Sequence, residues 1–308
     1  MPIPRTNGAL VTHKITGRTR LAGVIGTPLE HTLSPAMHNA VYEALDLDWV
    51  YVPLPLDDET DLIRFLGAAR VLPFQGFNVT MPFKHAMLQH CDEVAMLAQM
   101  AGAVNTVHCV NGRLIGYNTD GRGLVEALAD NLDFDPADRS VTVLGAGGAS
   151  GAAAVAFILA KAAKITVANR TLDRAVELIE RVSPHARNTA LAAVELGSAQ
   201  EAVSSADLIV NCTPLGMVPG DPSPIPAEWL RAGQVVFDMV YGGAPTQLLK
   251  DASAAGARAA DGIGMLVAQA AIAVDIWSES AQIRTPRDIM RAAAQAALDE
   301  RTGEGAGR

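Results

Sequence analysis

Cysteine is scarce, with three residues, Cys91, Cys109 and Cys212, in a chain of 308. The number is odd and no pair has C-x-x-C spacing, so neither a disulfide framework nor a thiolate zinc site is expected. The seven histidines are scattered without an H-E-x-x-H pair, and no metal is expected. Positive charge is also in short supply: 24 Lys and Arg stand against 33 Asp and Glu, a formal net charge of -9. Such a chain has no global field to attract a phosphate backbone, which argues against nucleic acid as a partner. Long apolar runs are missing too. The most apolar stretch, 151–160, is stopped by Lys161 and Lys164, well short of the roughly 20 residues that cross a bilayer, and residues 1–20 lack an apolar signal core. A reducing, cytoplasmic setting without membrane contact is the expectation.

What is present is apolar residue content, 49% against 19% charged, enough to bury sizeable cores and to exclude bulk disorder. A length of 308 fits two domains of about 100–200 residues each. Short β-type runs alternate with helical patterns: LAGVIG then a helix from Pro35, WVYVPLP then 58–70, FQGFNV then a helix from Pro82. The grammar repeats with VTVLG, KITVANR, DLIVN and QVVFDMV, enough strands for a doubly wound parallel sheet. The expected divisions are a flexible extension over 1–19, a first domain over 20–121 and a second over 122–264. Helices over 265–300 are expected to pack back on the first domain, followed by a flexible tail at 301–308. Glycines near Gly121 to Leu124 and Gly262 to Met265 mark expected hinges.

Residues 141–151, VTVLGAGGASG, run from a buried-type strand through Gly145-Ala146-Gly147-Gly148-Ala149 into a small-residue helix. Gly145 allows the tight turn, Gly147 lets a pyrophosphate approach the backbone, and the helix N-terminus offers free N–H groups to that anion. The pattern departs at its third position, where Ser150 replaces glycine. The next strand ends at Asn169-Arg170-Thr171, without the carboxylate that would bind a ribose 2′-hydroxyl; Arg170 and Arg174 instead suit a 2′-phosphate, which favours NADP over NAD.

Four polar clusters fall where strands give way to loops or helices: Thr32-Leu33-Ser34-Pro35, Asn78 to Lys84, Val104-Asn105-Thr106 and Asn118-Thr119-Asp120-Gly121. Each has a plainer reading, since Ser34 and Asp120 suit helix caps and Lys84 suits an exposed helix position. Together they supply hydroxyls, an amide, a cation and a carboxylate, the groups that hold a small polyhydroxylated acid and move a proton on it.

In this combination the sequence resembles the shikimate dehydrogenase family and its quinate/shikimate relatives, from Leu21 to Gln282. GTPLEHTLSPAMHNA, GFNVTMPFK, AGAVNTV, GYNTDGRG, GAGGASG, ANRTLDR, NCTPLGM, DMVYGGAPT and DGIGMLVAQ occur in the family's order. The resemblance implies an α/β substrate domain followed by a Rossmann-type NADP-binding domain. It implies NADP-linked, reversible reduction of 3-dehydroshikimate to shikimate in aromatic amino-acid biosynthesis. By motif, Lys84 is implied as acid/base and Asp120 as its partner, with Thr80 and Asn105 on the ring hydroxyls. Thr32 and Ser34 are implied to receive the carboxylate, with Tyr241 and Gln269 completing the pocket. Thr213, Met239 and Gly262 join the loop residues and Asn169 to Arg174 on the cofactor. The implied partners are small molecules, with a homodimer compatible.

One departure bears on substrate: Thr32 stands where the family usually has serine, adding a methyl beside the carboxylate. A quinate/shikimate or aminoshikimate-type dehydrogenase is therefore the alternative enzyme. A non-catalytic NADP-binding regulator is the alternative of another class, and it has no need of both Lys84 and Asp120.

Overall fold

The computed structural model describes residues 15–279 and 284–305. Its first six strands are β1 (Arg20–Gly26), β2 (Trp49–Pro55), β3 (Phe74–Val79), β4 (Glu93–Val94), β5 (Thr106–Val110) and β6 (Arg113–Tyr117). They form one sheet in the order β2-β1-β3-β5-β6-β4, with β1 parallel to both β2 and β3. The sheet turns antiparallel at β5 and β6, a hairpin closed by Asn111 and Gly112 at φ 51° and 77°. Two successive positive φ values make the turn whose twist matches the strands it joins, and Asn-Gly is the pair that tolerates them.

Helices α1 (Ser34–Ala44), α2 (Glu59–Ala69), α3 (Met87–His90) and α4 (Met96–Ala101) connect these strands. α2 illustrates the local code: the Asp58 side chain accepts from the Asp61 N–H at 3.0 Å, Glu59 and Asp61 occupy the first turn, and Leu62, Leu66 and Ala69 fall on one buried face.

α5 (Asp120–Leu132) leads into the second sheet: β7 (Ser140–Leu144), β8 (Lys164–Asn169), β9 (Ala190–Glu195), β10 (Leu208–Asn211), β11 (Val235–Asp238) and β12 (Arg258–Ala260). All neighbours are parallel in the order β12-β11-β10-β7-β8-β9. The first strand thus lies beside the fourth, and the crevice over that reversal is where doubly wound sheets bind ligands. α6 (Gly148–Leu159), α7 (Leu172–Val182), α8 (Gln200–Ser205) and α9 (Gln247–Ala254) cover it. With both faces covered, β7 and β10 bury almost every residue, as expected of central parallel strands.

α10 (Ile263–Ser278) and α11 (Arg287–Gly305) close the chain. Val267, Ala271, Val274 and Trp277 of α10 and Met290, Ala294 and Leu298 of α11 share one core with Ala22, Val24, Met37, Val41 and Tyr42 of the first sheet and α1. Trp277 donates Nε1–H to the Val107 carbonyl at 2.9 Å. The two sheets join through α4, α5 and α6, since Met100, Ala101, Leu124 and Leu128 share a core with Val141, Ala153 and Val155. No helix among the described residues is long and apolar enough to cross a membrane.

Several expectations change. The helix expected from Pro82 is a run of turns until Met87, because proline brings no N–H and Phe83 bonds back to the Thr80 carbonyl at 3.1 Å. Of the expected 1–19 extension, 1–14 lie outside the described residues, while Thr16 and Thr19 donate their hydroxyls to Asp48 at 2.8 and 2.5 Å. The expected 301–308 tail is helical through Gly305, held where Arg301 meets the Thr32 loop; 306–308 lie outside the described residues. α10 begins at Ile263 rather than 265. The glycines expected near hinges are closely packed: a Cβ on Gly121 would lie 2.6 Å from the Ala152 carbonyl oxygen, and one on Gly262 would lie 2.2 Å from that of Met239.

Candidate active site

Lys84 sits on the turn after β3, and Asp120 opens α5. Their side chains meet with Nζ 2.6 Å from Oδ2, at 20% and 7% exposure respectively. The other carboxylate oxygen accepts from Asn105 Nδ2 at 2.7 Å, so both lobes of Asp120 are held. Asp120 therefore does not cap its own helix, and Ser34 is likewise not a side-chain cap of α1. Capping is the weaker reading for both. The Lys84 backbone is fixed as well, because its carbonyl accepts from Val104 N–H at 2.9 Å.

From this pair a chain of hydrogen bonds runs through the sheet. Asn105 takes Thr106 Oγ1–H at 3.0 Å and the Thr119 backbone N–H at 2.8 Å on its Oδ1. Thr106 accepts from Asn78 Nδ2 at 3.1 Å, and Asn78 Oδ1 accepts the Tyr51 hydroxyl at 2.8 Å. The Tyr51 oxygen in turn accepts from Ser34, and burial raises its phenol well above the usual range. Gln269 reaches the same network from α10, its Oε1 accepting from Asn105 and Thr119 at 3.4 Å each. The expected residues thus gather from five separate stretches of chain. Rigid orientation is the consequence, since a network with every member partnered leaves few alternative rotamers.

At the other end, Ser34 N–H donates to Thr32 Oγ1 at 3.3 Å. Tyr241, just after β11, is close enough to Tyr51 for their ionisations to interact, and burial pushes its own phenol up. Thr80 stands apart from the network and packs on Gly26, where a Cβ would meet its Cγ2 at 2.4 Å.

The expected cofactor residues lie at the carboxyl ends of β7, β8, β10 and β11. Gly145 adopts φ 105° and donates to the Ala168 carbonyl at 2.8 Å. Gly147 precedes α6 as its cap, followed by Gly148 and Ala149, with no side chain capping the helix. A Cβ at Gly147 would meet nothing within 4 Å, whereas one at Gly148 would meet Ala103 at 3.1 Å and Lys84 at 3.5 Å. The α6 N-terminus therefore faces open space beside Lys84. Its free N–H groups suit an anion, and the residues present fit a dinucleotide. Arg170, Thr171 and Arg174 are exposed at the β8–α7 junction, where Asn169 Nδ2 bonds the Thr171 carbonyl at 2.8 Å.

Thr213 and Met239 are tied by Asn211, whose Oδ1 accepts from Thr213 Oγ1 at 2.7 Å and whose carbonyl accepts from Met239 N–H at 3.0 Å. Asp238, fully buried, accepts from Asn211 Nδ2, Thr246 Oγ1 and Val240 N–H at 2.8, 2.6 and 3.1 Å. Burial raises its carboxyl despite those donors. Gly262 closes on the same loop, its N–H reaching the Val240 carbonyl at 3.2 Å.

Sequence reasoning missed Tyr51, Asn211 and Asp238 as supports. Asn211 and Asp238 end apolar strands, a signal that was available: a polar residue at the carboxyl end of a buried parallel strand faces the ligand crevice.

A dinucleotide-type helix N-terminus beside a partly buried lysine–carboxylate pair, on a two-sheet α/β frame, defines a two-domain oxidoreductase of Rossmann type. Comparisons make this specific. Residues 24–107 match the model of the shikimate dehydrogenase substrate binding domain, and 127–215 match that of shikimate / quinate 5-dehydrogenase. A shikimate dehydrogenase (NADP(+)) of Geobacter metallireducens is 42% identical over 92% of this chain and 99% of its own. The crystal structure of shikimate 5-dehydrogenase from Thermus thermophilus with NADP(H) and shikimate is similar at TM-score 0.79 and 38% identity, covering 91% of this chain and all of that one (100%). Quinate dehydrogenase from Corynebacterium glutamicum with NAD is similar at TM-score 0.81 and 32% identity, covering 90% and 99%. The chain belongs to the shikimate dehydrogenase family.

Proposed function

We propose that the protein is a cytoplasmic, NADP-dependent shikimate dehydrogenase that interconverts 3-dehydroshikimate and shikimate. The observation that carries the reading is the Lys84–Asp120 pair at 2.6 Å, beside the open N-terminus of α6. Gly145 to Ala149 would hold the pyrophosphate, Arg170 and Arg174 the 2′-phosphate, and the Thr213, Met239 and Gly262 loops the nicotinamide end. Bound NADP(H) supplies or accepts the hydride at the substrate's C3.

The chain's own residues do the rest. Thr32, Ser34 and Tyr241 receive the carboxylate, while Asn105 and Gln269 orient ring hydroxyls and Thr80 borders the ring. As the C3 carbonyl is reduced, negative charge grows on its oxygen; the Lys84 ammonium stabilises that charge and gives up its proton to it. In the reverse direction Lys84 Nζ takes the hydroxyl proton. Asp120, fixed through Asn105, holds the ammonium on line. A positioned acid/base group contributes about 10²–10⁴-fold. Lys84→Ala is therefore expected to lower kcat by about that factor with a smaller change in KM, as for an interaction that strengthens in the transition state. Unchanged turnover in the variant removes Lys84 from the role.

Thr32 favours weighing quinate as a second substrate, and the quinate dehydrogenase of similar structure gives that a physical precedent. Initial rates on shikimate and quinate with NADP and with NAD decide it. Faster turnover of quinate with NAD overturns the assignment.

A further inference from the structure

The last turns of α11 reach the far end of the pocket. Arg301 donates from one terminal nitrogen to the His31 carbonyl and from the other to the Thr32 carbonyl, each at 2.9 Å, across 270 and 269 residues of sequence. The fork of a guanidinium fits two neighbouring acceptors at once, which an ammonium cannot do. Around it, the Thr32 N–H is turned back on the Leu29 carbonyl at 3.1 Å, and Ser34 N–H is held by Thr32 Oγ1. Arg301 is also near enough to the Tyr241 ring to act on it electrostatically. One guanidinium thus grips the peptide carrying Thr32 while standing near Tyr241 in the same corner.

We propose that Arg301 is a positioning residue for the substrate's carboxylate. It fixes the 31–32 backbone so that the Thr32 and Ser34 hydroxyls converge, and it adds positive potential at the corner where an anionic ring substituent docks. The inference rests on the shikimate dehydrogenase reading and extends the site to the C-terminal helix, a segment of chain otherwise engaged in covering α1. Three features support it: the grip is on the loop itself, the contact is bidentate, and the charge has the sign opposite to a carboxylate.

The test is steady-state kinetics on the full chain, comparing wild type with Arg301→Ala and Arg301→Lys, together with hydrogen exchange of the amides at 29–34. Because the guanidinium is exposed and screened, Arg301→Ala is expected to raise KM for shikimate about three- to tenfold with kcat changed less than about twofold. KM for NADP should not move, and the 29–34 amides should exchange faster. Arg301→Lys, which keeps the charge and loses the fork, should recover part of the KM but little of the amide protection. Unchanged KM and exchange in Arg301→Ala overturn the proposal. So does a parallel loss in both KM values and kcat, which signals general damage. A wild type that binds NADP but does not oxidise shikimate overturns the functional reading instead, and the exchange comparison then decides whether Arg301 holds the loop.

Discussion

Two glycines four residues apart in α6 and its cap separate the fold from the chemistry. Gly147 has extended backbone angles, φ -92° and ψ -169°, that alanine adopts freely, and a Cβ there meets nothing within 4 Å. Replacing it with alanine touches only the cap preference, a loss of at most about 1 kcal/mol, which lowers Tm by about 2–4 °C. The added methyl instead occupies the space an anion needs to reach the first-turn N–H groups. Losing one charge-assisted hydrogen bond costs about 1.5–3 kcal/mol, so KM for NADP should rise about 10- to 100-fold. Gly151→Ala does the opposite. Its Cβ would lie 2.2 Å from the Ala101 carbonyl oxygen, so α4 and α6 must part by about 1 Å. Overpacking of this kind costs about 1–3 kcal/mol, offset by up to about 1 kcal/mol from better helix propensity. The parting also shifts the Ala103–Val104 segment that carries the Lys84 carbonyl bond, so kcat should fall as well. Thermal unfolding of the apo protein and two-substrate kinetics on both variants provide the assay. If Gly147→Ala leaves KM for NADP within about twofold, the α6 N-terminus is not the pyrophosphate seat.

The exposed arginines at the β8–α7 junction make a sharper cofactor test: Arg170→Ala should weaken NADP far more than NAD, and equal losses in equilibrium titrations refute the 2′-phosphate clamp. His38 is expected to contribute to acid sensitivity. Burial drops its pKa from 6.5 to about 3, so the folded state keeps it neutral while the unfolded chain takes a proton below pH 6.5. Its contribution is fully present above pH 6.5 and is lost as pH falls toward 3; about 2 kcal/mol should go between pH 6.5 and pH 5 in urea unfolding. His38→Gln should flatten that slope, and an unchanged slope assigns the acid sensitivity elsewhere.

The parts of the fold legible in sequence are those with a local cause. β7, β8 and β10 announce themselves as short β-branched, largely apolar runs because both their faces are buried, and the glycine loop after β7 follows from what a tight turn and a bound anion require. β4, β9 and β12 were not visible: two are only two and three residues long, and the sequence ALAAVE of β9 favours a helix until β8 pairs with it. The β5–β6 hairpin carries its signal openly in Asn111-Gly112, yet sits between two polar clusters that draw attention away from it. Within the site, Lys84, Asn105 and Asp120 could be named from their clusters. Tyr51 could not, because nothing local distinguishes it from a core aromatic. It joins the network only through register, with Tyr51 opposite Ala22 and Val24 opposite Asn78 across three parallel strands. Arg301 is the extreme case, silent until folding closes 270 residues.

The glycines flanking the joint between the sheets show how one residue type supports two opposite readings. From sequence, Gly121, Gly123, Gly262 and Gly264 suggest freedom of φ and ψ. In the structure none takes a positive φ among the described residues, and each is pressed against a neighbour: Gly121 on Ala152, Gly123 on Gln269, Gly262 on Met239 and Gly264 on the Asn131 amide. Gly123 and Gly264 are small so that α5 and α10 can lie close together and so that Gln269 can reach Asn105 from α10, while Gly121 lets α5 approach α6. A larger side chain at Gly123 would therefore push Gln269 out of the network that orients Asp120.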